Sequence, residues 1–262
     1  MSELIHNSEV QVAQAVLAQM SAYTSRFIAV VARKISDTEG DFVGSGTFMV
    51  FGGQAFLVTA DHVVKKADPD STGKVVFSNG NGALYQSVNT RFCADDALDI
   101  AIAPVRLTRP PPSMCQAVPS TMIASHAGQL GDLLFVHGFP AERSRFTVFG
   151  PAIVSRTLPF GSSKQKTEWP DFDPEKHFAL GFDPKHSICP SDMTFSLPNA
   201  HGMSGSAVWD TRKRERGERW QPSDARVIGV LHRWDQDARC LIGTRIEYIH
   251  GFVAKSWPLQ KT

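Results

Sequence analysis

The stretch NAHGMSGSAVWD, residues 199–210, raises the question on which the fold assignment depends. Two glycines, Gly202 and Gly205, bracket Met203 and Ser204, and an alternating Ala-Val-Trp run follows them. Glycine and serine are common in turns, so the stretch alone fits either an activated serine or a polar turn before a strand. A serine hydroxyl becomes a good nucleophile only with a base in hydrogen-bond reach. The decision therefore depends on a histidine and a carboxylate elsewhere in the chain.

Two other stretches supply a candidate base and a candidate acid. His62 follows a pair of strand-like runs in GSGTFMVFGGQAFLVTADHVV. Asp99 directly precedes an alternating Ile-Ala-Ile run, whereas the neighbouring Asp95 and Asp96 do not, and this position favours Asp99. A buried carboxylate of this kind fixes the tautomer of a catalytic histidine. Taken one at a time, the residues also fit a core histidine, a strand-start carboxylate and a turn serine.

The blocks GSGTF…LVTADHVV, LDIAI and GMSGSAVW occur in the order His, Asp, Ser and resemble the signature blocks of the chymotrypsin-like (trypsin-fold) serine peptidases. The variant is most similar to HtrA-type and related bacterial trypsin-like peptidases that lack a PDZ domain. GDLLFVHGFP also resembles the strand that opens the second barrel in that group. The resemblance implies His62 as general base, Asp99 as its orienting partner and Ser204 as nucleophile. It further implies an oxyanion hole formed by the backbone N–H groups of Gly202 and Ser204.

Short β-branched or alternating runs, separated by Gly, Asn and Asp, indicate an all-β protein. Together with the resemblance, they predict two six-stranded antiparallel β-barrels with an N-terminal helix and a C-terminal helix. Apolar spacing places these helices over residues 8–22 and 247–257. The predicted domains are a helical extension (1–25), a first barrel (26–112) and a second barrel (113–262). The polar, proline-rich segment 158–190 is interpreted as a long surface loop with a regulatory or docking role.

The resemblance places the walls of the specificity pocket at Pro198, His232, Trp234 and Leu241. No acidic residue occurs in the stretch before Ser204, so a preference for Lys or Arg is not predicted. The bulk of Trp234 and Leu241 predicts a shallow pocket that takes a small or medium apolar residue before the scissile bond. His232 fits two interpretations. In an alignment shifted by one position it resembles the pocket histidine of glutamyl endopeptidases. Alternatively, it packs near Asp99 and supports the triad.

Composition sets the remaining expectations. The chain has 262 residues and a formal net charge of +1, which gives no electrostatic argument for nucleic acid or an anionic membrane as partner. The N-terminus does not have the pattern of a secretory signal, and the four cysteines lack any Cys-x-x-Cys pair. A cytoplasmic protein with reduced thiols is therefore predicted. The expected partners are a polypeptide substrate and an activating protein, and no metal or organic cofactor is required.

Two alternatives stay open from the sequence alone. The trypsin fold also hosts members without turnover, so a catalytically silent scaffold that binds peptides or partners is the alternative function. The same three residues would also support ester hydrolysis. Met203 stands where digestive relatives carry Asp, and the Arg26-Phe27-Ile28 segment is not an activation-cleavage sequence. Activation by N-terminal cleavage is therefore not expected.

Overall fold

The structure is a computed structural model that describes residues 2–36, 39–69, 75–78, 81–84, 86–87, 91–107, 115–124, 133–146, 152–167, 169–183, 187–189 and 199–257. The helices are α1 (Ser2–Thr24), α2 (Asp61–Ala67), α3 (Lys213–Arg216) and α4 (Ile246–Ser256). The strands of the first half are β1 (Ile28–Lys34), β2 (Gly40–Phe51), β3 (Gln54–Thr59), β4 (Val75–Ser78), β5 (Asn81–Leu84), β6 (Gln86–Ser87), β7 (Cys93–Asp95) and β8 (Ile100–Pro104). Those of the second half are β9 (Leu134–Gly138), β10 (Ser144–Phe146), β11 (Ala152–Ser155), β12 (Leu158–Ser162), β13 (Lys164–Gln165), β14 (His177–Gly181), β15 (Ala207–Asp210), β16 (Arg226–Asp235) and β17 (Cys240–Arg245).

The described strands form two large antiparallel sheets and one small sheet. The first has the order β6-β4-β1-β2-β3-β8-β7, and the second has the order β12-β9-β15-β16-β17-β14-β13. A three-stranded sheet, β10-β11-β5, joins one strand of the first half to two of the second. The all-β class with helices at both ends is confirmed. Each large sheet has seven described strands, one more than the six predicted per barrel, because β6 and β13 add two-residue strands at their edges.

The prediction of a long surface loop over 158–190 is wrong. Residues 158–162 and 177–181 form β12 and β14, and all ten of these residues are buried. Proline lacks an N–H to donate and is therefore tolerated mainly on edge strands. Pro159 lies on β12, which is the edge strand of its sheet, so the proline content of this segment does not imply a loop.

The hairpin between β2 and β3 brings the sequence towards His62. Phe51 pairs with Gln54, and the two residues between them, Gly52 and Gly53, have φ angles of +53° and +82°. Two consecutive residues with positive φ are typical of a two-residue turn that matches strand twist, and glycine adopts that conformation without strain. β3 therefore runs back antiparallel to β2 and ends at Thr59, three residues before His62.

The largest hydrophobic core lies between the two large sheets. Phe56 and Ile102 of the first sheet pack in the same cluster as Phe135 and Trp209 of the second. Helix α1 adds Val16, Leu17 and Met20 to this core, so it is an integral part of the fold and not a peripheral addition. None of the described helices combines the length and apolar character needed to cross a bilayer. All four cysteines are free thiols.

Candidate active site

His62 lies in the first turn of helix α2, immediately after β3 ends. The buried Asp61 in front of it forms an ion pair with Lys65 four residues later, with 2.7 Å between Oδ2 and Nζ. Lys65 also pairs with the exposed Asp96 at 2.6 Å. These contacts fix the start of the helix to the turn that carries Asp99. The His62 side chain keeps 36% of its surface exposed, so solvent or a substrate can reach it.

Asp99 ends the turn between β7 and β8 with a φ of +47°, in the left-handed region that few non-glycine residues adopt. The turn is held by specific hydrogen bonds. The Leu98 N–H donates to the Asp95 carboxylate at 3.1 Å, and the Thr244 hydroxyl of β17 donates to the Leu98 carbonyl at 2.7 Å. The second of these bonds joins the Asp99 turn to the second sheet.

Two hydrogen bonds join His62 to Asp99. The Nδ1 atom lies 2.7 Å from Asp99 Oδ2, and the backbone N–H of His62 donates to Oδ1 at 3.0 Å. An ionised carboxylate can only accept, so Nδ1 carries the ring proton and Nε2 keeps a free lone pair. Burial raises the pKa of the Asp99 carboxyl, but the nearby His232 ring and the hydrogen bonds with His62 outweigh it and hold that pKa well below its ordinary value. Asp99 is therefore ionised at neutral pH.

Ser204 lies on a turn that is anchored to strand β2. The backbone N–H of Ser45 donates to the Ser204 carbonyl at 2.9 Å, and the Ser45 hydroxyl donates to the Gly202 carbonyl at 2.7 Å. Two residues further along β2, the Thr47 hydroxyl donates to the Gly205 carbonyl at 3.1 Å. Gly205 has a φ of +94°, and a Cβ atom there would lie 1.9 Å from the Ser45 carbonyl oxygen. Only glycine allows this close approach of the two segments.

The backbone N–H groups of Gly202 and Ser204 are held with a fixed orientation. In a trans peptide the C=O and N–H point in opposite directions, so fixing one fixes the other. The His201 carbonyl accepts from the Ala141 N–H at 2.7 Å, and the Met203 carbonyl accepts from the Ser206 N–H at 3.1 Å. Neither the Gly202 nor the Ser204 N–H donates to any acceptor in the part of the chain that the structure describes. Both are therefore available as donors to a ligand.

One open cleft of about 1240 Å³ brings His62, Asp99, Gly202 and Ser204 together. The Ser204 hydroxyl donates to the His232 carbonyl at 3.2 Å. Within the described residues it makes no hydrogen bond to His62.

The other residues predicted to line the specificity pocket have different placements. Trp234 lines the cleft, half-buried, and packs edge-on against His201 with 5.3 Å between the ring centroids. Leu241 is only 1% exposed and belongs to the core of the second sheet, so the prediction that it walls the pocket is wrong. It faces the core because its strand, β17, is covered on that side by other apolar strands. Pro198 lies outside the described residues.

His232 reaches both the cleft and Asp99. Its ring is 4% exposed, and its Nδ1 atom lies 3.7 Å from Asp99 Oδ2. Of the two interpretations that the sequence allowed, this position favours the one in which His232 packs near Asp99.

A comparison with known protein families covers the three residues His62, Asp99 and Ser204. A model of the trypsin-like peptidase domain matches residues 44–216, which is about two thirds of the chain and includes His62, Asp99 and Ser204. The chain belongs to this family. By its family, this chain is a serine protease, and the resemblance to the trypsin-fold peptidases is confirmed.

Two solved proteases share the fold of this trypsin-like peptidase. The active form of the Rv3671c protease from M. tuberculosis matches with a TM-score of 0.54 at 17% identity, covering 95% of this chain and 87% of its own. The Vibrio cholerae VesB protease also gives a TM-score of 0.54, at 15% identity, covering 90% of this chain and 65% of its own. At these identities the likeness concerns the fold alone. A search of characterised protein sequences gave no match.

The sequence patterns did not identify several residues that support the site. Ser45 and Thr47 are fully buried hydroxyls two positions apart on β2, and both bond to the Ser204 turn. Residues two apart share one face of a strand, so two hydroxyls in an otherwise apolar strand could have indicated a polar contact. Ala141 contributes only its backbone N–H, and nothing in its side chain could have indicated that role.

Proposed function

We propose that this trypsin-like peptidase is an endopeptidase that cleaves peptide bonds through Ser204, His62 and Asp99. The observation that carries the proposal is the pair of hydrogen bonds from His62 to Asp99, of 2.7 and 3.0 Å, in the cleft that also contains Ser204. This pairing leaves the Nε2 lone pair of His62 free to act as a base.

In the proposed reaction, Ser204 Oγ attacks the carbonyl carbon of the scissile peptide while His62 Nε2 takes the hydroxyl proton. The carbonyl π-electrons move to oxygen and give a tetrahedral intermediate. When that intermediate collapses, the C–N bond breaks and His62 gives its proton to the departing amine. Water then attacks the resulting ester of Ser204, with His62 again as base, and releases the acid. Asp99 stays ionised throughout and stabilises the imidazolium.

Two features support stabilisation of the intermediate. The N–H groups of Gly202 and Ser204 have no acceptor among the described residues, and the carbonyls on the opposite side of their peptides are bonded to Ala141 and Ser206. Donors that are already oriented need no reorganisation when negative charge develops on the substrate oxygen. We infer that these two groups form the oxyanion hole.

A free strand edge supports an extended polypeptide as substrate. β15 pairs with β16 only as far as Val230, and beyond it the residues 233–235 pair with β17 alone among the described strands. Arg233 and Trp234 of this edge line the cleft. An extended peptide can add to such an edge through backbone hydrogen bonds. The preference for a small or medium apolar residue before the scissile bond, and control by an activating protein, stay predictions.

The test is cleavage of a diverse peptide mixture, followed by mass spectrometry, by the unaltered protein and by Ser204→Ala, His62→Ala and Ser25→Ala. Ser25 is exposed in the turn directly after α1 and serves as the matched control for loss of a serine hydroxyl. We expect cleavage by the unaltered protein and by Ser25→Ala only. Peptide binding without cleavage by any form would favour the silent scaffold. Cleavage of esters but not of peptides would favour an esterase.

A further inference from the structure

A second histidine contacts the carboxylate of Asp99. His232 lies where the pairing of β16 with β17 shifts by one residue, between Leu231 and Arg233. Such a bulge changes the direction of the side chain relative to its neighbours. The His232 ring is accordingly buried with Nδ1 3.7 Å from Asp99 Oδ2, whereas Arg233 is exposed. That distance is slightly longer than a hydrogen bond, and catalytic contacts often shorten only when substrate binds.

A third histidine, His177 of β14, packs against His232 with ring centroids 5.1 Å apart. The backbone N–H of Asp173 donates to His177 Nδ1 at 3.1 Å. Nδ1 is therefore an acceptor, and the ring proton of neutral His177 must lie on Nε2. Burial, with a smaller contribution from the neighbouring His232, lowers the pKa of His177 to about 4, so the ring is neutral at physiological pH.

The two rings carry complementary buried groups without partners. His177 Nε2–H is a buried donor with no acceptor among the described residues, and His232 Nε2 is likewise buried without a partner. With Nδ1 next to an ionised carboxylate, His232 carries its proton on Nδ1, which makes its Nε2 an acceptor. A buried polar atom without a hydrogen bond costs free energy, so two such atoms on adjacent rings favour a functional role for the pair. A donor and an acceptor therefore lie on adjacent rings behind the catalytic carboxylate.

We propose that His177, His232 and Asp99 form a hydrogen-bond chain in which His232 is a positioning residue for the catalytic carboxylate. In this chain His177 Nε2–H is the donor to His232 Nε2, and His232 Nδ1–H is the donor to Asp99 Oδ2. Both contacts lie outside hydrogen-bond geometry in this structure and close when substrate binds. The carboxylate is then held by three donors, two from His62 and one from His232. The proposal rests on the role of Asp99 given above, and it assigns His232 to Asp99 and not to the recognition of substrate.

Kinetics test the chain with three variants. Asn places an amide N–H close to the position of His Nδ1, whereas Leu fills similar space without a donor. We expect His232→Leu to lower kcat about 10- to 100-fold, the loss typical of one hydrogen bond to a charged group, with KM within about 2-fold. His232→Asn should recover most of that loss. His250→Asn, at an exposed position of α4, is the control and should leave kcat unchanged. Wild-type kcat in His232→Leu, or a larger loss in His232→Asn, would overturn the proposal.

Nitrogen-15 NMR of the histidine rings tests the same chain without relying on activity. The chain requires a protonated Nδ1 and bare Nε2 on His232, and the reverse tautomer on His177. The unaltered protein provides this result even if His232→Leu does not fold. A His232 ring protonated on Nε2 would refute the chain. Loss of catalysis in Ser204→Ala tests the peptidase function separately, so failure of that function and failure of the chain give different results.

Discussion

The proposed oxyanion hole depends on a backbone hydrogen bond that a single substitution removes. Ala141 N–H donates to the His201 carbonyl at 2.7 Å and so directs the Gly202 N–H away from Ala141. In Ala141→Pro, the N–H is lost and the proline Cδ occupies its place, which pushes the His201 carbonyl away. Rotation of the His201–Gly202 peptide relieves this clash and turns the Gly202 N–H out of the oxyanion hole.

The fold should tolerate this proline. Ala141 is the first residue of a short 3₁₀ turn (Ala141–Arg143), a position where proline is common. The preceding Pro140 has φ −70° and ψ 142°, which suits a residue before proline. The lost hydrogen bond itself contributes only about 0.5–1.5 kcal/mol to stability. Loss of one oxyanion donor costs about 2.7–4 kcal/mol of transition-state stabilisation, which corresponds to about 100- to 1000-fold in kcat.

Steady-state kinetics on a cleaved peptide, with thermal denaturation as the folding check, measure this effect. We expect Ala141→Pro to lower kcat about 100- to 1000-fold, with KM changed by less than about 3-fold, because the lost donor acts mainly in the transition state. Ala141→Gly keeps the N–H and is the matched control. A folded Ala141→Pro protein with kcat within about 3-fold of the unaltered protein would refute the assignment of the Gly202 N–H.

Three further predictions concern stability. In urea denaturation, Gly205→Ala should lower the free energy of unfolding by about 1–3 kcal/mol more than Gly53→Ala does. Both glycines have a positive φ, but only at Gly205 would a Cβ atom clash with a neighbour. Equal losses would contradict the tight contact with Ser45. Leu17→Ala should lower the free energy of unfolding by about 2–5 kcal/mol in the same measurement, because Leu17 is fully buried in the main core. A loss below about 1 kcal/mol would mean that α1 is not integral to the fold. Burial lowers the pKa of His137 to about 3. Between pH 6.5 and 3 the unfolded chain therefore binds a proton on this histidine that the folded protein does not bind. The free energy of unfolding should fall by up to about 1.4 kcal/mol per pH unit as the pH decreases through this range. His137→Phe should flatten that slope in denaturation series across this pH range, and an unchanged slope would assign the proton uptake to another group.

The sequence predicted the elements that depend on short-range patterns. The order of the three blocks around His62, Asp99 and Ser204 indicated which residues would meet, and alternation indicated the strands that position them. The prediction of a loop over residues 158–190 failed because the proline and charge content of this segment is typical of loops. The strands that it contains are only five residues long or shorter. Their burial comes from neighbouring strands far away in the chain, which composition does not reveal.

The supporting contacts of the site could not be predicted for a similar reason. The direction of the His232 ring depends on a one-residue shift between β16 and β17, and a shift of register has no local signature in sequence. Leu241 was misassigned because position along a strand does not specify which face is covered. The Ala141 contact involves backbone atoms alone, so any residue other than proline could make it.

The most direct test of the central claim is labelling with a fluorophosphonate probe, followed by peptide mapping to locate the modified residue. We predict one adduct, on Ser204, that is lost in Ser204→Ala, is strongly reduced in His62→Ala and is retained in Ser25→Ala. Adduct formation on a different serine, or equal labelling of the unaltered protein and His62→Ala, would contradict an active site in which His62 activates Ser204.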